Sequence, residues 1–270
     1  MDDIKQQKRV NDILLGPLER PALRWLAAHM PMWVNSDMMT VLGVIGSVLI
    51  FASYILTNIS PHFLWLACLG FVINWFGDSL DGTLARYRNK QRPKFGFFVD
   101  HTTDALSQMI VFLGLGLSPY VQFEIAALGL VAYLLMSILA YVTTIVTGTF
   151  QISYSRIGAT EMRVIAIILN VLIFFFAQPL VNAPFGYLTF FDFMLLLIIA
   201  YFLIFYTVTI IVRGVALSKV DLAQSASEQP IQEQRVPSRQ PATKKGKRSA
   251  AGTQGNKGQG KHRIKHAPRS

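Results

Sequence analysis

The sequence has one cysteine and few charged residues for its length. Only 15% of its 270 residues are Asp, Glu, Lys or Arg, compared with roughly 25% in soluble globular domains. Cys68 has no second cysteine to pair with, so an intramolecular disulfide and a cysteine-based metal site are both excluded. Hydrophobic residues make up 52% of the sequence and occur in runs near the roughly 20 residues that span a bilayer. The composition therefore predicts a polytopic membrane protein.

Residues 1–34 contain no apolar run that is long enough to cross a bilayer. Cations such as Lys5, Arg20 and Arg24 are mixed with leucines and Trp25, which predicts an amphipathic helix in the membrane interface rather than a signal peptide. A soluble helix that packs on the following domain is the alternative interpretation.

Residues 35–217 contain six apolar stretches, which predict six transmembrane helices and an all-α fold. Asn35 and Ser36 are suitable N-cap residues for the first. The predicted spans are 38–58, 63–86, 95–117, 121–147, 161–182 and 188–213. The connections after the first, third and fifth spans lack Lys and Arg, whereas 86–94 contains five. The positive-inside rule then places both termini and the 87–94 loop in the cytoplasm, with a bacterial inner membrane as the expected location.

Residues 218–270 carry most of the positive charge. They contain twelve Lys and Arg against three acids, which accounts for +9 of the net charge of +10. Because they include almost no large apolar residues, they are predicted to form a disordered basic cytoplasmic tail. A solvated tail is the simplest interpretation, and binding to anionic lipid or RNA is the alternative. The absence of interleaved aromatic residues argues against stacking on bases, so no specific nucleic-acid partner is expected.

Four aspartates occur where ionised side chains are costly. Asp78 and Asp81 lie near the end of the second span, and Asp100 and Asp104 near the start of the third. An ionised side chain at the bilayer centre costs about 2.5–3.5 kcal/mol, so these acids are candidate functional residues. At about 100° per residue, each pair shares one face of its helix. Since the short 87–94 loop makes these helices antiparallel neighbours, the two acidic faces are expected to meet near the cytoplasmic surface.

Four carboxylates in one place repel each other unless cations or protons neutralise them. Oxygen ligands favour hard cations such as Mg²⁺ or Mn²⁺. A pair of such divalent ions would balance the four negative charges. A two-metal site suits displacement at phosphorus, because the ions stabilise both the attacking and the leaving oxygen. Gly82 and Ala85 leave space for a flat base on the same face, and Arg86 can bind phosphate through a forked pair of hydrogen bonds.

The charged and small residues form one longer pattern, made of Asp78, Asp81, Gly82, Ala85, Arg86, Gly96, Asp100 and Asp104. This pattern resembles the signature of the CDP-alcohol phosphotransferases, D-x2-D-G-x2-A-R-x8-G-x3-D-x3-D. All eight fixed positions occur in order, with nine rather than eight residues between the arginine and the second glycine. The extra residue falls in the loop around Pro93, where an insertion costs little.

The resemblance implies a phospholipid-synthesis transferase of the CDP-alcohol phosphatidyltransferase type. It would move a substituted phosphate from a CDP-linked donor, of the CDP-diacylglycerol kind, to an alcohol and release CMP. The resemblance also suggests a homodimer. It implies that Asp104 acts as general base and that the four aspartates ligate the metal ions. The donor would be bound by Asp78, Gly82, Ala85, Arg86 and Gly96, and Gly96 would also allow close helix approach.

Four further residues are candidates for binding the acceptor: Asn74, Arg156, Glu161 and Arg163. Asn74 lies one turn before the acidic pair, and the other three lie near the start of the fifth span. Each has a structural alternative. Asn74 could bridge helices, the arginines could reflect positive-inside topology, and Glu161 suits a helix N-terminus.

Two other functions remain open. Asp100-His101 and the stretch Gly158-Ala-Thr-Glu161 loosely resemble the choline/ethanolamine branch of the family, in which a soluble CDP-alcohol reacts with diacylglycerol. An ion-translocating membrane protein is the remote alternative. It predicts acids near the membrane midplane and inverted repeats with broken helices, and neither feature occurs in the sequence.

Overall fold

A computed structural model describes residues 14–147, 158–176, 180–183 and 186–233. The chain divides into two units, Met1–Ala216 and Leu217–Ser270. The described part is almost entirely helical, as predicted, with one short hairpin as the exception. Its elements are α1 (Gly16–His29), α2 (Ser36–Leu56), α3 (Phe63–Tyr87), α4 (Pro93–Gly116), α5 (Phe123–Thr147), α6 (Ala159–Phe175), β1 (Leu180–Ala183), β2 (Gly186–Thr189) and α7 (Phe190–Glu233).

Among the described residues, four helices are long and apolar enough to cross a membrane. They are Ser36–Leu56, Phe63–Tyr87, Phe123–Thr147 and Phe190–Ser225. The third and fifth predicted spans correspond to α4 and α6. The first half of α4 carries the acidic pair and other polar residues, and α6 has only 17 residues. Length and composition therefore support four of the six predicted spans, and the other two stay predictions.

The fifth predicted span, 161–182, is wrong at its C-terminal end. Helix α6 ends at Phe175, and β1 pairs antiparallel with β2, with Leu180 opposite Thr189. The prediction failed because a short apolar run fits a strand as well as a helix, and the predicted span was extended as far as the Asn182-Ala-Pro-Phe-Gly186 turn signal.

Helices α2 and α3 pack through glycines. A Cβ added at Gly77 would lie 2.5 Å from the carbonyl oxygen of Met39, and one added at Gly46 would lie 2.5 Å from the backbone nitrogen of Asn74. Because only glycine avoids these clashes, the two backbones approach closely. This contact places the segment of α3 that carries Asn74 and Asp78 directly against α2.

Two apolar clusters surround this contact. The larger joins buried residues of α2, α3, α5, α6 and α7, among them Ile50, Phe71, Ala132, Ile173 and Phe191. The smaller cluster lies under α1, which buries Leu23 and Ala27 against residues of α2 and α3. The N-terminal helix thus packs on the domain along one face, while Leu18 and Trp25 on its other side are 76% and 61% exposed.

Helix α7 continues past residue 218, where the predicted tail begins, and ends at Glu233. No glycine or proline interrupts residues 215–229, so nothing in the local sequence ends the helix there. The prediction of disorder therefore differs from the structure over 218–233. Residues 234–270 lie outside the described part, and the prediction stays a prediction for them.

Candidate active site

Three carboxylates meet between α3 and α4. One oxygen from each of Asp78, Asp100 and Asp104 lies within 4.8 Å of the others. The turn between Tyr87 and Pro93 reverses the chain, so the C-terminal end of α3 lies beside the N-terminal half of α4. The facing acidic sides expected from the helical pitch are thus found for these three residues.

Asp81 has different surroundings from the other three aspartates. Its Oδ2 accepts a hydrogen bond of 2.7 Å from Thr40 Oγ1, and its Oδ1 accepts one from the backbone N–H of Gly82. The residue is 9% exposed. Its carboxylate is therefore held by α2 rather than directed at the three-carboxylate group. The sequence analysis did not identify the hydroxyl of Thr40, which lies 41 positions away.

Arg163 reaches the acidic group from α6. Its Nη2 lies 2.6 Å from Asp78 Oδ2, and its Nε donates a hydrogen bond of 2.7 Å to Asn74 Oδ1. Arg163 is 6% exposed, and within the described residues its Nη1 has no hydrogen-bond partner. A buried charge needs a partner of opposite sign. Arg163 and Asp78 therefore stabilise each other, and the Nη1 amino group beside the cluster has no acceptor in the part of the chain that the structure describes.

Asn74 and Glu161 make the contacts expected of their structural alternatives. Asn74 Nδ2 donates to the carbonyl oxygen of Gly43 and to Ser47 Oγ, both at 2.9 Å, so this side chain bridges α2, α3 and α6. Glu161 Oε2 accepts the Gly158 N–H at 2.9 Å and caps α6. Its Oε1 accepts the N–H of residue 15 at 2.8 Å. Both carboxylate oxygens of Glu161 are thus bonded to the backbone. The fourth acceptor candidate, Arg156, lies outside the described residues.

The residues predicted to bind the donor lie near the end of α3 and the start of α4. Arg86 is exposed, and its Nη1 lies 3.2 Å from the Cβ position of Gly82, so the guanidinium folds over that glycine. Ala85 is half-buried. At Gly96, however, an added Cβ would meet no heavy atom within 4 Å. The predicted close helix approach at Gly96 is therefore wrong, because the first turn of α4 is exposed; the close approach occurs at Gly77 instead.

A small cavity with room for about one water molecule lies beside the three carboxylates, between α2, α3 and α4. Its walls are mostly polar and include three hydroxyl groups. The lining residues are Thr40, Gly43, Val44, Asn74, Asp78, Thr103, Asp104 and Ser107. The acidic group therefore borders a small polar cavity that could hold one water molecule or a single polar atom of a ligand.

The three carboxylates fit a hard divalent cation. All three donors are oxygens, which Mg²⁺ and Mn²⁺ prefer. Ligand oxygens on opposite sides of an ion at about 2.1 Å lie about 4.2 Å apart, within the 4.8 Å observed here. The guanidinium of Arg163 offsets one negative charge of the group. The remaining charge is what a divalent cation would neutralise.

The helices and the polar centre define an integral membrane protein with an acidic site built between its helices. Residues 33–201 match the family model of the CDP-alcohol phosphatidyltransferases, which covers more than half of the chain. The chain belongs to this family.

Its similarity to individual members is moderate. It is 29% identical to bovine Cholinephosphotransferase 1 over 171 residues. This aligned region covers 59% of this chain and 40% of the bovine protein. The human protein of the same name gives the same identity and coverage. Archaetidylinositol phosphate synthase from Pyrococcus horikoshii is 29% identical over 126 residues, covering 47% of this chain and 55% of that protein. The chain thus spans about half the length of these relatives or less.

Proposed function

We propose that this chain transfers a substituted phosphate from a CDP-linked donor to an alcohol and releases CMP. The observation that carries the proposal is the convergence of Asp78, Asp100 and Asp104 within 4.8 Å of one another. Family membership supports the same reaction. Arg163 adds a buried positive charge at the same place, which suits a phosphate-bearing substrate.

In the proposed reaction, the acceptor hydroxyl oxygen forms a bond to the β-phosphorus of the donor. The bond between that phosphorus and the bridging oxygen breaks, and its electron pair leaves with CMP. Asp104 lines the cavity and accepts the hydroxyl proton as the new bond forms. Asp78 and Asp100 would hold the divalent ions, which would supply charge stabilisation to the attacking and leaving oxygens.

The donor is proposed to bind over the end of α3. Arg86 is exposed and would exchange its contacts over Gly82 for the donor's phosphates, with Ala85 and Gly96 leaving room for the nucleotide. Asp81 stays a proposed ligand of the ions. To act as one, its carboxylate must give up the hydrogen bond from Thr40.

The acceptor is proposed to bind on the side of α6. Arg163 Nη1 is buried and would donate to an anionic oxygen of a substrate there. Arg156 is proposed to assist it. Asn74 and Glu161 are proposed to shape this side through their backbone contacts rather than to touch the acceptor.

Two donor classes fit the proposal. A CDP-diacylglycerol donor with a small alcohol acceptor is the first candidate. A soluble CDP-choline or CDP-ethanolamine donor with a diacylglycerol-like acceptor is the second, favoured by the similarity to proteins named Cholinephosphotransferase 1.

The proposal includes a placement in the membrane. Six spans would be completed by α4 and α6, with both termini and the basic 87–94 loop in the cytoplasm. Helix α1 would lie in the interface with its exposed apolar side toward the lipid. A bacterial inner membrane and a homodimer remain part of the proposal.

A donor-by-acceptor matrix on the purified protein tests the function. We expect Mg²⁺-dependent release of CMP from one donor class and a lipid product that contains the matching alcohol. Asp100→Asn should abolish release, whereas Glu124→Gln, at an exposed position of α5, should leave it unchanged. Absence of CMP with every donor and acceptor pair, in protein that remains folded, would refute the proposal.

A further inference from the structure

Helix α1 is attached to two other helices through one carboxylate oxygen. Glu19 Oε1 accepts a hydrogen bond from Trp75 Nε1 of α3 and another from Thr160 Oγ1 of α6, both at 2.9 Å. A single side chain therefore links three helices. Glu19 is half-buried, so these bonds are partly shielded from water.

The two residues that donate hydrogen bonds to Glu19 lie close in sequence to the two members of the Arg163–Asp78 ion pair. Trp75 is three residues before Asp78 on α3, and Thr160 is three residues before Arg163 on α6. Three residues amount to about one helical turn, or roughly 4.5 Å along the axis. The contact through Glu19 thus lies about one turn away from the contact through Arg163, on the same two helices.

The first turn of α6 has a second link to the same region. The backbone N–H of residue 15, next to the start of α1, donates to Glu161 Oε1 at 2.8 Å. The start of α6 is therefore fixed to the residue before α1 by Glu161 and to the first turn of α1 by Glu19. Any shift of α6 along α3 must break or stretch these bonds.

The distance between Arg163 and Asp78 depends on this placement. The guanidinium reaches Asp78 Oδ2 at 2.6 Å from a different helix, so a displacement of α6 by about 1 Å would lengthen the contact beyond hydrogen-bond range. Losses of about 100-fold can follow displacements of this size at a reacting centre.

We propose that Glu19 is a positioning residue for phosphate transfer. By holding Trp75 and Thr160 to one oxygen, it fixes α6 relative to α3 and thereby keeps Arg163 in contact with Asp78. The inference rests on the proposed function, since it assigns Glu19 a role in that reaction. It makes α1 a necessary part of the active site although the helix contributes no ligand or base.

The test compares Glu19→Ala with Glu19→Gln. Alanine removes the acceptor, whereas glutamine keeps one oxygen that can accept both bonds. We expect kcat to fall about 10- to 100-fold in Glu19→Ala, with a smaller change in KM for the donor, and to stay within about twofold of wild type in Glu19→Gln. Glu124→Gln, an exposed acid near the start of α5, is the matched control.

A second arm asks whether Glu19 acts through Arg163. In an Arg163→Ala background, Glu19→Ala should cause almost no further loss of kcat, because the contact that it positions is already absent. The inference would be overturned if the losses of kcat from the two substitutions multiplied, or if folded Glu19→Ala kept the kcat of the wild type.

If Glu19→Ala does not fold, Thr160→Val provides the test, since it removes one hydroxyl and leaves a side chain of equal size. Wild-type kcat in folded Thr160→Val would then refute the inference.

The wild-type arm separates the two proposals. If wild-type protein releases no CMP with any donor and acceptor, the proposed function fails and the role of Glu19 falls with it. If wild type is active and the Glu19 variants match it, only the positioning role is refuted.

Discussion

Replacing Arg163 by methionine removes the positive partner of a buried acid and leaves a side chain of similar length. The variant loses the 2.6 Å contact with Asp78 and the 2.7 Å hydrogen bond to Asn74. Removing one partner of a buried ion pair costs about 3–5 kcal/mol, chiefly because the other charge stays buried and unpaired. The side chain of Asp78 is still 23% exposed, so we expect the lower end of that range, about 3 kcal/mol.

The measurement is the free energy of unfolding in detergent micelles, with and without Mg²⁺. We expect Arg163→Met to be stabilised more by Mg²⁺ than the wild type, since the uncompensated carboxylates gain more from a bound cation. Arg163→Lys should recover only part of the loss, because an ammonium group cannot reach Asp78 and Asn74 with the forked geometry of a guanidinium.

Arg86→Met is the matched control. Arg86 is exposed, so this variant should unfold within about 0.5 kcal/mol of wild type while its release of CMP is impaired. The reasoning would be refuted if Arg163→Met were as stable as wild type without Mg²⁺, because the ion pair would then contribute nothing to the fold.

Three further predictions concern the base, the helix contact and the tail. Asp104→Asn should reduce kcat by about 10²–10⁴-fold while Mg²⁺-dependent donor binding, measured by calorimetry, largely persists; an equal loss of binding would make Asp104 chiefly a ligand. Gly77→Ala should lower the yield of folded protein in size-exclusion chromatography, since its methyl group would meet Met39 O at 2.5 Å, whereas Gly96→Ala should not; equal yields would refute the close packing of α2 and α3. Truncation after Lys219 should leave activity in detergent, and an inactive truncated protein would show that the tail contributes to the reaction.

The helices and the acidic pattern could be predicted because both depend on local sequence. Apolar length predicted α2, α3 and α5 to within about two residues of their ends. Asn35 caps α2 as expected, accepting the Met38 N–H at 3.0 Å. The pitch of the helix was enough to place Asp100 and Asp104 on one face.

The contacts that distinguish the four aspartates could not be predicted in this way. Asp78 and Asp81 are three residues apart on one helical face, yet the first pairs with Arg163 of α6 and the second with Thr40 of α2. These partners are 85 and 41 positions away, and no periodicity relates residues across such separations. The tertiary packing of α3 between α2 and α6 decides which carboxylate joins the cluster.

The polar network of the site is also a network that packs the helices. Asn74 joins α2, α3 and α6; Thr40 joins α2 to α3; Glu19 joins α1 to both α3 and α6. In a membrane protein, lipid tails supply no apolar driving force between helices, so such bonds carry a larger part of the packing specificity. A substitution that deletes one of them therefore changes helix placement and chemistry together. Only variants that keep the shape of the side chain while exchanging one polar group, such as Thr160→Val or Asp104→Asn, can assign a loss of activity to the reaction rather than to the fold.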